Sequence, residues 1–199
     1  MLTLTSMLRP LFMKRIKESG NFGKYEDEIQ LAQLKKLLKS AAETEYGKRY
    51  GFKQIDSYND YRSQVPLIRY EDIREYVMRM LKGEKDILWH GIVKNYAQSS
   101  GTSDGKSKYI PITREGFRHC HYQGTFDTVA HYLNLNPNSR VFDGKAFILG
   151  GSFANEIHPG NGVKVGDLSA NLIDRMNPLA NLIRIPSKRI ALLEDWSVK

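Results

Sequence analysis

The sequence predicts an α/β fold with a helix-rich first half and a second half that mixes strands with helices. Through residues 1–88, apolar residues recur at helical spacing, and the helical patterns end at glycine or proline. From residue 89 onward, short runs of β-favouring residues flank a loop rich in serine and glycine. Alternation of strands with helices is typical of α/β architectures, so we expect the helical half to cover one face of a sheet.

The N-terminal segment predicts a first helix that packs through four apolar residues, Leu8, Leu11, Phe12 and Ile16. Pro10 would lie near the start of this helix, where proline is tolerated. The segment is also basic and has no acidic residue before Glu18, as in an organellar presequence. Of these two interpretations we favour the packed helix.

Three further helices are predicted in the first half, at Glu26–Tyr46, Tyr58–Gln64 and Glu71–Lys82. Each ends close to a residue that terminates helices, which are Gly47, Pro66 and Gly83. These three helices and the N-terminal one account for most of residues 1–88.

In the second half, extended segments at 91–98 and 108–113 lie on either side of the serine-rich loop. Thr113 can cap a helix from Arg114 to about Leu135, with Phe117, Cys120, Gly124 and His131 near one face. Residues 145–151, KAFILGG, predict a short buried strand, and the glycine-rich stretch at 160–166 predicts a turn. A last helix is predicted to start near Pro186 and to be still running at Lys199, so we expect an incomplete chain, the N-terminal part of a longer protein.

Composition excludes several classes of protein. Cys120 is the only cysteine among 199 residues, which rules out an internal disulfide. No apolar run approaches the roughly 20 residues that span a bilayer, so we expect no membrane partner and a cytoplasmic location. The two histidines His119 and His121 would point to different faces of a helix, and we predict no metal site.

The net charge of +8 arises from 30 basic and 22 acidic residues. Positive charge attracts anions and permits weak contact with nucleic acid. No basic stripe with interleaved aromatic residues accompanies it, so we expect no specific nucleic-acid partner.

The stretch QSSGTSDGKSKYIPIT, residues 98–113, is rich in groups that can donate hydrogen bonds to phosphate. It contains the second half of the nucleotide-binding pattern G-x-x-x-x-G-K-[ST], but Gly101 lies one residue too late to be its first glycine. A strand rather than a helix is predicted to follow, which disfavours the kinase or GTPase loop. Two interpretations remain on the residues alone, a phosphate-binding loop between two strands and a solvated hairpin loop.

The segment SSGTSDGKSK, residues 99–108, resembles the phosphate-binding loop of the adenylate-forming superfamily, which includes firefly luciferase and the acyl-CoA synthetases. It resembles most the auxin-responsive-promoter family of acyl-acid amido synthetases. Three other segments extend the resemblance, TEYGKRYGF (44–52), VPLIRYEDIREYVMRMLKGE (65–84) and VGDLSANL (165–172). Together they cover most of residues 40–199 and imply the N-terminal part of an acyl-adenylating domain, mainly helical over 1–88 and α/β over 89–199, whose C-terminal remainder is absent.

The resemblance implies ATP-dependent activation of a carboxylic acid to an acyl-adenylate, followed by amide formation with an amino acid. It implies that the triphosphate is held by Ser99, Ser100, Gly101, Thr102, Ser103, Gly105 and Lys106, and that Lys108 is the catalytic lysine. By position, the acyl group would lie near His119, Tyr122, Gln123 and Phe126. ATP and Mg²⁺ would be required, with the magnesium ligands outside this chain.

Two alternative functions stay open on the sequence. The first is an acyl-CoA ligase of the same superfamily, which uses a thiol rather than an amine as the acyl acceptor. The second is a non-catalytic module that binds anions or nucleic acid, for which the net charge is the only argument.

Overall fold

The computed structural model describes residues 3–99, 107–154, 157, 159 and 162–199. The helices are α1 (Leu4–Ser19), α2 (Glu26–Ala41), α3 (Glu45–Arg49), α4 (Tyr58–Gln64), α5 (Tyr70–Leu81), α6 (Arg114–Gly116), α7 (Gln123–Leu135), α8 (Leu168–Asp174), α9 (Pro178–Ile183) and α10 (Lys188–Ala191). The strands are β1 (Asn95–Ser99), β2 (Lys108–Ile112), β3 (Ala146–Phe147), β4 (Lys164–Gly166) and β5 (Arg184–Ile185). The fold is thus helix-rich with small sheets, and the predicted α/β class is confirmed.

The chain divides into two compact units. The hairpin unit comprises Tyr25–Thr113 and Asn155–Val165, and the helical unit comprises Met1–Lys24, Arg114–Ala154 and Gly166–Lys199. No helix in the described ranges is long and apolar enough to cross a membrane.

The hairpin unit is built around an antiparallel pair, β1 and β2, with β4 on the other side of β1. Helix α5 packs its apolar face on this sheet, and the shared core contains Val77, Met80, Tyr96, Tyr109 and Val165. Tyr96 is fully buried, and the loss of water around it raises the pKa of its phenol. The base of the hairpin is therefore held by a packed core.

Helix α2 ends at Ala41, five residues earlier than predicted, because a second helix begins at Glu45. The buried Thr44 hydroxyl accepts a hydrogen bond from the Gly47 N–H at 3.0 Å and donates to the Ala41 carbonyl at 2.7 Å. This cap starts α3 at Glu45. Gly47, predicted as a helix exit, instead lies buried inside α3.

Two other helices of this unit follow the prediction. Helix α4 covers the predicted residues, since Ser57 and Asp60 form a capping box at its start. Helix α5 begins at Tyr70, one residue before the predicted start, and ends before Gly83, whose φ is 89°.

The helical unit is centred on the contact between α1 and α7. Phe12 packs with Ala130 and Leu133, and its ring stacks on Phe126 with a centroid separation of 4.4 Å. The predicted packing of the N-terminal helix is confirmed, with Leu8 and Ile16 also at this core.

Two details of the prediction for this helix were wrong. Leu11, predicted as a packing residue, is 55% exposed. Pro10 lies inside α1 rather than near its start, because Thr3 caps the helix by exchanging hydrogen bonds with Ser6 and so starts it at Leu4.

The segment from Arg114 to Leu135 is helical, as predicted, but it includes a π-helical stretch, Phe117–Tyr122. Hydrogen bonds in a π-helix join residues five apart, so the helical period changes there. As a result Cys120, Gly124 and His131 are exposed instead of sharing the buried face of Phe117.

Three predictions in the last part of the chain were wrong in whole or in part. Residues 145–151 do not form a buried strand, because β3 contains only two residues and Phe147 is 71% exposed. This strand pairs in parallel with β5, with Ala146 opposite Arg184. The stretch 160–166 is a turn only in part, since Gly162 lies in a turn with a positive φ whereas Lys164–Gly166 forms β4. The last predicted helix ends at Ala191, and a 3₁₀ turn follows at Trp196–Val198, capped by Asp195.

Candidate functional site

The hairpin brings the two ends of the serine-rich loop together. Ser99 and Lys108 are directly opposite in the β1/β2 register. The Lys108 N–H lies 3.4 Å from the Ser99 hydroxyl, and the Gln98 side-chain amide donates to the Ser107 hydroxyl at 2.9 Å. The predicted pair of strands on either side of residues 100–106 is confirmed.

The predicted phosphate ligands Ser100, Gly101, Thr102, Ser103, Gly105 and Lys106 lie outside the described residues. The structure therefore places two residues of the predicted site, Ser99 and Lys108, and their surroundings. Both are part-buried.

The first turn of α5 contacts β2 beside the loop. Strand β2 lies at an edge of the described three-stranded sheet, where backbone groups of a strand have no neighbouring strand. At Tyr109 the Tyr70 hydroxyl supplies the hydrogen bonds that a neighbouring strand would make. It accepts from the Tyr109 N–H at 2.8 Å and donates to the Tyr109 carbonyl at 3.3 Å. A hydroxyl can do both at once.

Lys108 lies in a mixed aromatic and acidic environment. Its ammonium nitrogen is 3.5 Å from the Glu71 carboxylate and 5.5 Å from the centre of the Tyr70 ring. The pKa of Glu71 is lowered, first because its own backbone N–H donates to the carboxylate and then because of the positive charge of Lys108. The side chains of Lys108 and Glu71 are 40% and 54% exposed, so the pair is accessible from solution.

This geometry is suited to binding an anion at the mouth of the hairpin. Lys108 supplies positive charge, and the Ser99 hydroxyl has an O–H that can donate. Ser99 lies on β1 and Lys108 on β2, and each strand has a tyrosine buried in the core, Tyr96 and Tyr109 respectively. The strands that carry the two polar groups are thus held by packing.

Three of the four residues predicted near the acyl group are engaged inside the helical unit. The Tyr122 hydroxyl donates to the Arg175 carbonyl at 2.8 Å, and burial raises its pKa. The Gln123 amide donates to Asp127 at 2.8 Å, and the Phe126 ring stacks on Phe12. These contacts give each residue a structural role, and any role toward an acyl group stays a prediction.

Asp127, which Gln123 contacts, is bound by Arg15 through two hydrogen bonds of 2.7 and 2.9 Å. His119, the fourth predicted residue, lies on the π-helical stretch and is exposed. It too stays a prediction.

The segment VGDLSANL holds a neighbouring loop in place. The Asp167 carboxylate accepts from the Ser152 N–H at 3.0 Å, and the Ser169 hydroxyl accepts from the Gly151 N–H at 2.8 Å. A Cβ atom at Gly151 would lie 1.7 Å from the Asp167 carboxylate, so a larger residue there would displace the Asp167 side chain. The observed contacts of this segment are therefore structural.

Tyr70 and Glu71 were missed by sequence reasoning. They belong to the segment 65–84, but nothing in its helical pattern distinguishes these two from other residues of α5. Their partners on β2 are nearly forty positions away in the chain, so no local spacing indicates the contact.

Among the residues placed by the structure, no group of three or more His, Cys, Asp or Glu side chains could hold a metal ion.

Curated relatives share sequence with about half of the chain. Indole-3-acetic acid-amido synthetase GH3.15 of Arabidopsis thaliana is 38% identical over 89 residues, which is 44% of this chain and 15% of that protein. Jasmonoyl-L-amino acid synthetase JAR6 of Nicotiana attenuata is 30% identical over 103 residues, 51% of this chain and 18% of that protein. The aligned part is thus about a sixth of each relative.

A solved structure, GH3.15 acyl acid amido synthetase, has the same fold, with a TM-score of 0.64 at 21% identity over 85% of this chain and 28% of that one. A family model described as the GH3 family N-terminal domain matches residues 15–196. That match covers nearly all of the 199 residues, and the sequence segments at 44–52, 65–84, 99–108 and 165–172 and the fold agree with it. This chain therefore belongs to the GH3 family.

Proposed function

We propose that the protein containing this chain activates a small carboxylic acid with ATP and then joins it to an amino acid through an amide bond. The observation that carries this proposal is the β1/β2 hairpin, which sets Ser99 and Lys108 opposite each other at the ends of a hydroxyl-rich loop. The names of the relatives support it, since they describe amido synthetases of indole-3-acetic acid and a synthetase of jasmonoyl amino acids.

The chemistry requires activation because a carboxylate has no good leaving group. In the first step a carboxylate oxygen attacks the α-phosphorus of ATP, an O–P bond forms, and the bond to the β-phosphate oxygen breaks. Pyrophosphate leaves with the electron pair. In the second step the amine nitrogen attacks the acyl carbon, AMP leaves, and the nitrogen loses a proton to give the amide.

In this scheme Lys108 neutralises charge on the β- and γ-phosphates, where negative charge increases as pyrophosphate departs. The hydroxyl of Ser99 donates to a phosphate oxygen. The other loop residues, Ser100, Gly101, Thr102, Ser103, Gly105 and Lys106, supply backbone N–H groups, hydroxyls and one further charge. Mg²⁺ would screen the phosphates, and its ligands are proposed to lie outside this chain.

Product analysis tests the proposal on the longest obtainable form of the protein. The protein is incubated with ATP, a panel of aromatic and aliphatic acids, and either mixed amino acids or coenzyme A. We expect AMP rather than ADP, and an acid-dependent amide detected by mass spectrometry. A thioester instead of an amide would establish an acyl-CoA ligase.

Neither product, in a form that binds ATP, would contradict the proposed catalysis. Salt-sensitive binding of DNA by that same form would then favour the non-catalytic anion-binding module.

A further inference from the structure

The first turn of α5 touches Lys108 and its neighbour Tyr109 in three ways. The Glu71 carboxylate lies 3.5 Å from the Lys108 ammonium, and the Tyr70 ring lies 5.5 Å from the same nitrogen. The Tyr70 hydroxyl exchanges two hydrogen bonds with the Tyr109 backbone. One dipeptide thus contacts both the side chain of the loop lysine and the backbone that carries it.

The Tyr70 contact fixes the backbone position from which the Lys108 side chain extends. Tyr109 is 7% exposed and belongs to the core, so its backbone position is already restricted by packing. Hydrogen bonds to both its N–H and its carbonyl hold the strand edge where no other described strand pairs with it. The lysine side chain therefore leaves the strand from a defined position.

The Glu71 contact gives the lysine side chain a partner on its own unit. Glu71 and Lys108 are both about half-exposed, so their ion pair is screened by water and is weak. A phosphate group carries more negative charge and more acceptor oxygens than one carboxylate. It can replace Glu71 without removing a buried partner.

We propose that Tyr70 and Glu71 are positioning residues for Lys108, with Tyr70 fixing the adjacent peptide and Glu71 holding the ammonium group until phosphate replaces it. This inference rests on the proposed function, because it takes Lys108 to be a phosphate ligand. It adds that the lysine has a resting partner with which the phosphate competes.

A merely structural role for Glu71 makes the opposite prediction. An acidic residue in the first turn of a helix stabilises that helix through its dipole. If this were its only role, removing the charge would loosen α5 and would leave anion binding equal or weaker. Competition instead predicts that removing the charge strengthens binding.

Calorimetric titration of the longest obtainable form of the protein with inorganic pyrophosphate at low salt separates the two roles. We expect Glu71→Gln to bind about two- to fivefold more tightly than the parent, the range expected for an exposed ion pair. The matched control is Glu75→Gln, which removes the same charge from an exposed position one turn further along α5. Equal or weaker binding by Glu71→Gln, or the same gain in both variants, would overturn the role of Glu71.

A double-mutant cycle tests whether the effect passes through the lysine. In a Lys108→Gln background, Glu71→Gln should no longer change the pyrophosphate affinity, because the pair it releases is absent. A gain that persists without the lysine would mean general electrostatic repulsion and would contradict positioning.

The role of Tyr70 has its own measurement. Tyr70→Phe keeps the ring beside Lys108 and removes only the hydroxyl, so we expect faster hydrogen exchange of the Tyr109 amide and pyrophosphate binding weaker by about twofold or more. Denaturant unfolding confirms that the variant folds. Unchanged hydrogen exchange of the Tyr109 amide would overturn the proposed role of the Tyr70 hydroxyl in fixing this peptide.

The titration also separates this inference from the proposed function. A parent that binds pyrophosphate but gains nothing from Glu71→Gln overturns the positioning role alone. A folded parent and a folded Glu71→Gln variant that both fail to bind would overturn the phosphate role of Lys108 and, with it, this inference.

Discussion

At the scale of single residues, one buried hydroxyl ties the start of α1 to the loop after α7. Thr5 is 1% exposed. Its hydroxyl donates to Asp143 at 3.0 Å and accepts from the Phe142 N–H at 3.0 Å, while its own N–H donates to Asp143 at 2.9 Å. These bonds join segments that are far apart in the chain.

Thr5→Val should therefore lower the free energy of unfolding by about 1–3 kcal/mol, because it removes a hydrogen bond to a charged group and leaves the Phe142 N–H without its acceptor. Urea denaturation measures the loss. Thr128→Val, at an exposed position of α7, is the matched control and should change stability by about 0.5 kcal/mol or less. Equal effects of the two substitutions would contradict the role of Thr5.

Asp143 predicts how stability responds to acid. Its hydrogen bonds with Arg140 and then with the Thr5 backbone lower its pKa to about 2. The ordinary value of an aspartate is about 3.9, so the stabilisation is fully present above that pH and is lost as pH falls towards the folded value.

The melting temperature of the parent should accordingly exceed that of Asp143→Asn near neutral pH. The difference should shrink as pH falls below about 4 and approach zero near pH 2. A difference that stays constant over this range would show that the Asp143 charge does not contribute.

Single residues differ in how far the sequence predicts them. Ser99 and Lys108 were predicted at the ends of the loop because hydroxyl, glycine and lysine residues cluster there between two strands. Tyr70 and Glu71 could not be predicted, because their partners lie nearly forty residues away and only the folded sheet brings them together. Gln123 and Phe126 were predicted near an acyl group from their position on a helix. That position does not reveal that they contact Asp127 and Phe12 within the unit.

At the scale of elements, the junction of α2 and α3 depends on one close approach. A Cβ atom at Gly47 would lie 2.0 Å from the Ala41 carbonyl oxygen. That atom belongs to the backbone and cannot move away without shifting a helix end.

Gly47→Ala should thus lower the free energy of unfolding by about 3 kcal/mol, the upper part of the range for overpacking. Gly124→Ala is the control, because Gly124 lies in α7 with no neighbouring atom near an added Cβ. There alanine should stabilise by about 0.5–1 kcal/mol, through lower backbone entropy in the unfolded chain. Denaturant unfolding of both variants checks the opposite signs, and loss of stability in both would contradict the close-approach explanation.

Elements were predictable where their limits are set locally. Helix α4 matched because a serine cap and a nearby proline define its ends. The end of α2 was missed because Thr44 caps a new helix only after the chain turns. The face of the helix after Thr113 was wrong because a π-helical stretch, which periodicity at 3.6 residues does not anticipate, changes the register.

At the scale of the whole molecule, the family and the fold class were predictable, whereas the grouping of elements was not. The family was predicted from several sequence segments that occur in the same order, and the fold class from the change from helical to mixed patterns. The helical unit combines α1 with residues 114–154 and 166–199, and the sequence pattern does not reveal this contact between distant segments. The separate role of the loop in phosphate binding stays a prediction at this scale.

The most direct test of the central claim is carboxylate-dependent ATP–pyrophosphate exchange by the longest form of the protein, as parent, Lys108→Ala and Lys85→Ala. Lys85 is an exposed lysine of the same unit and controls for loss of charge. We predict exchange with at least one acid in the parent and in Lys85→Ala, and a rate about ten- to more than a hundredfold lower in Lys108→Ala, since a charge-assisted contact contributes about 1.5–3 kcal/mol. Equal rates in Lys108→Ala and the parent, or no acid-dependent exchange in a form that binds ATP, would contradict the account.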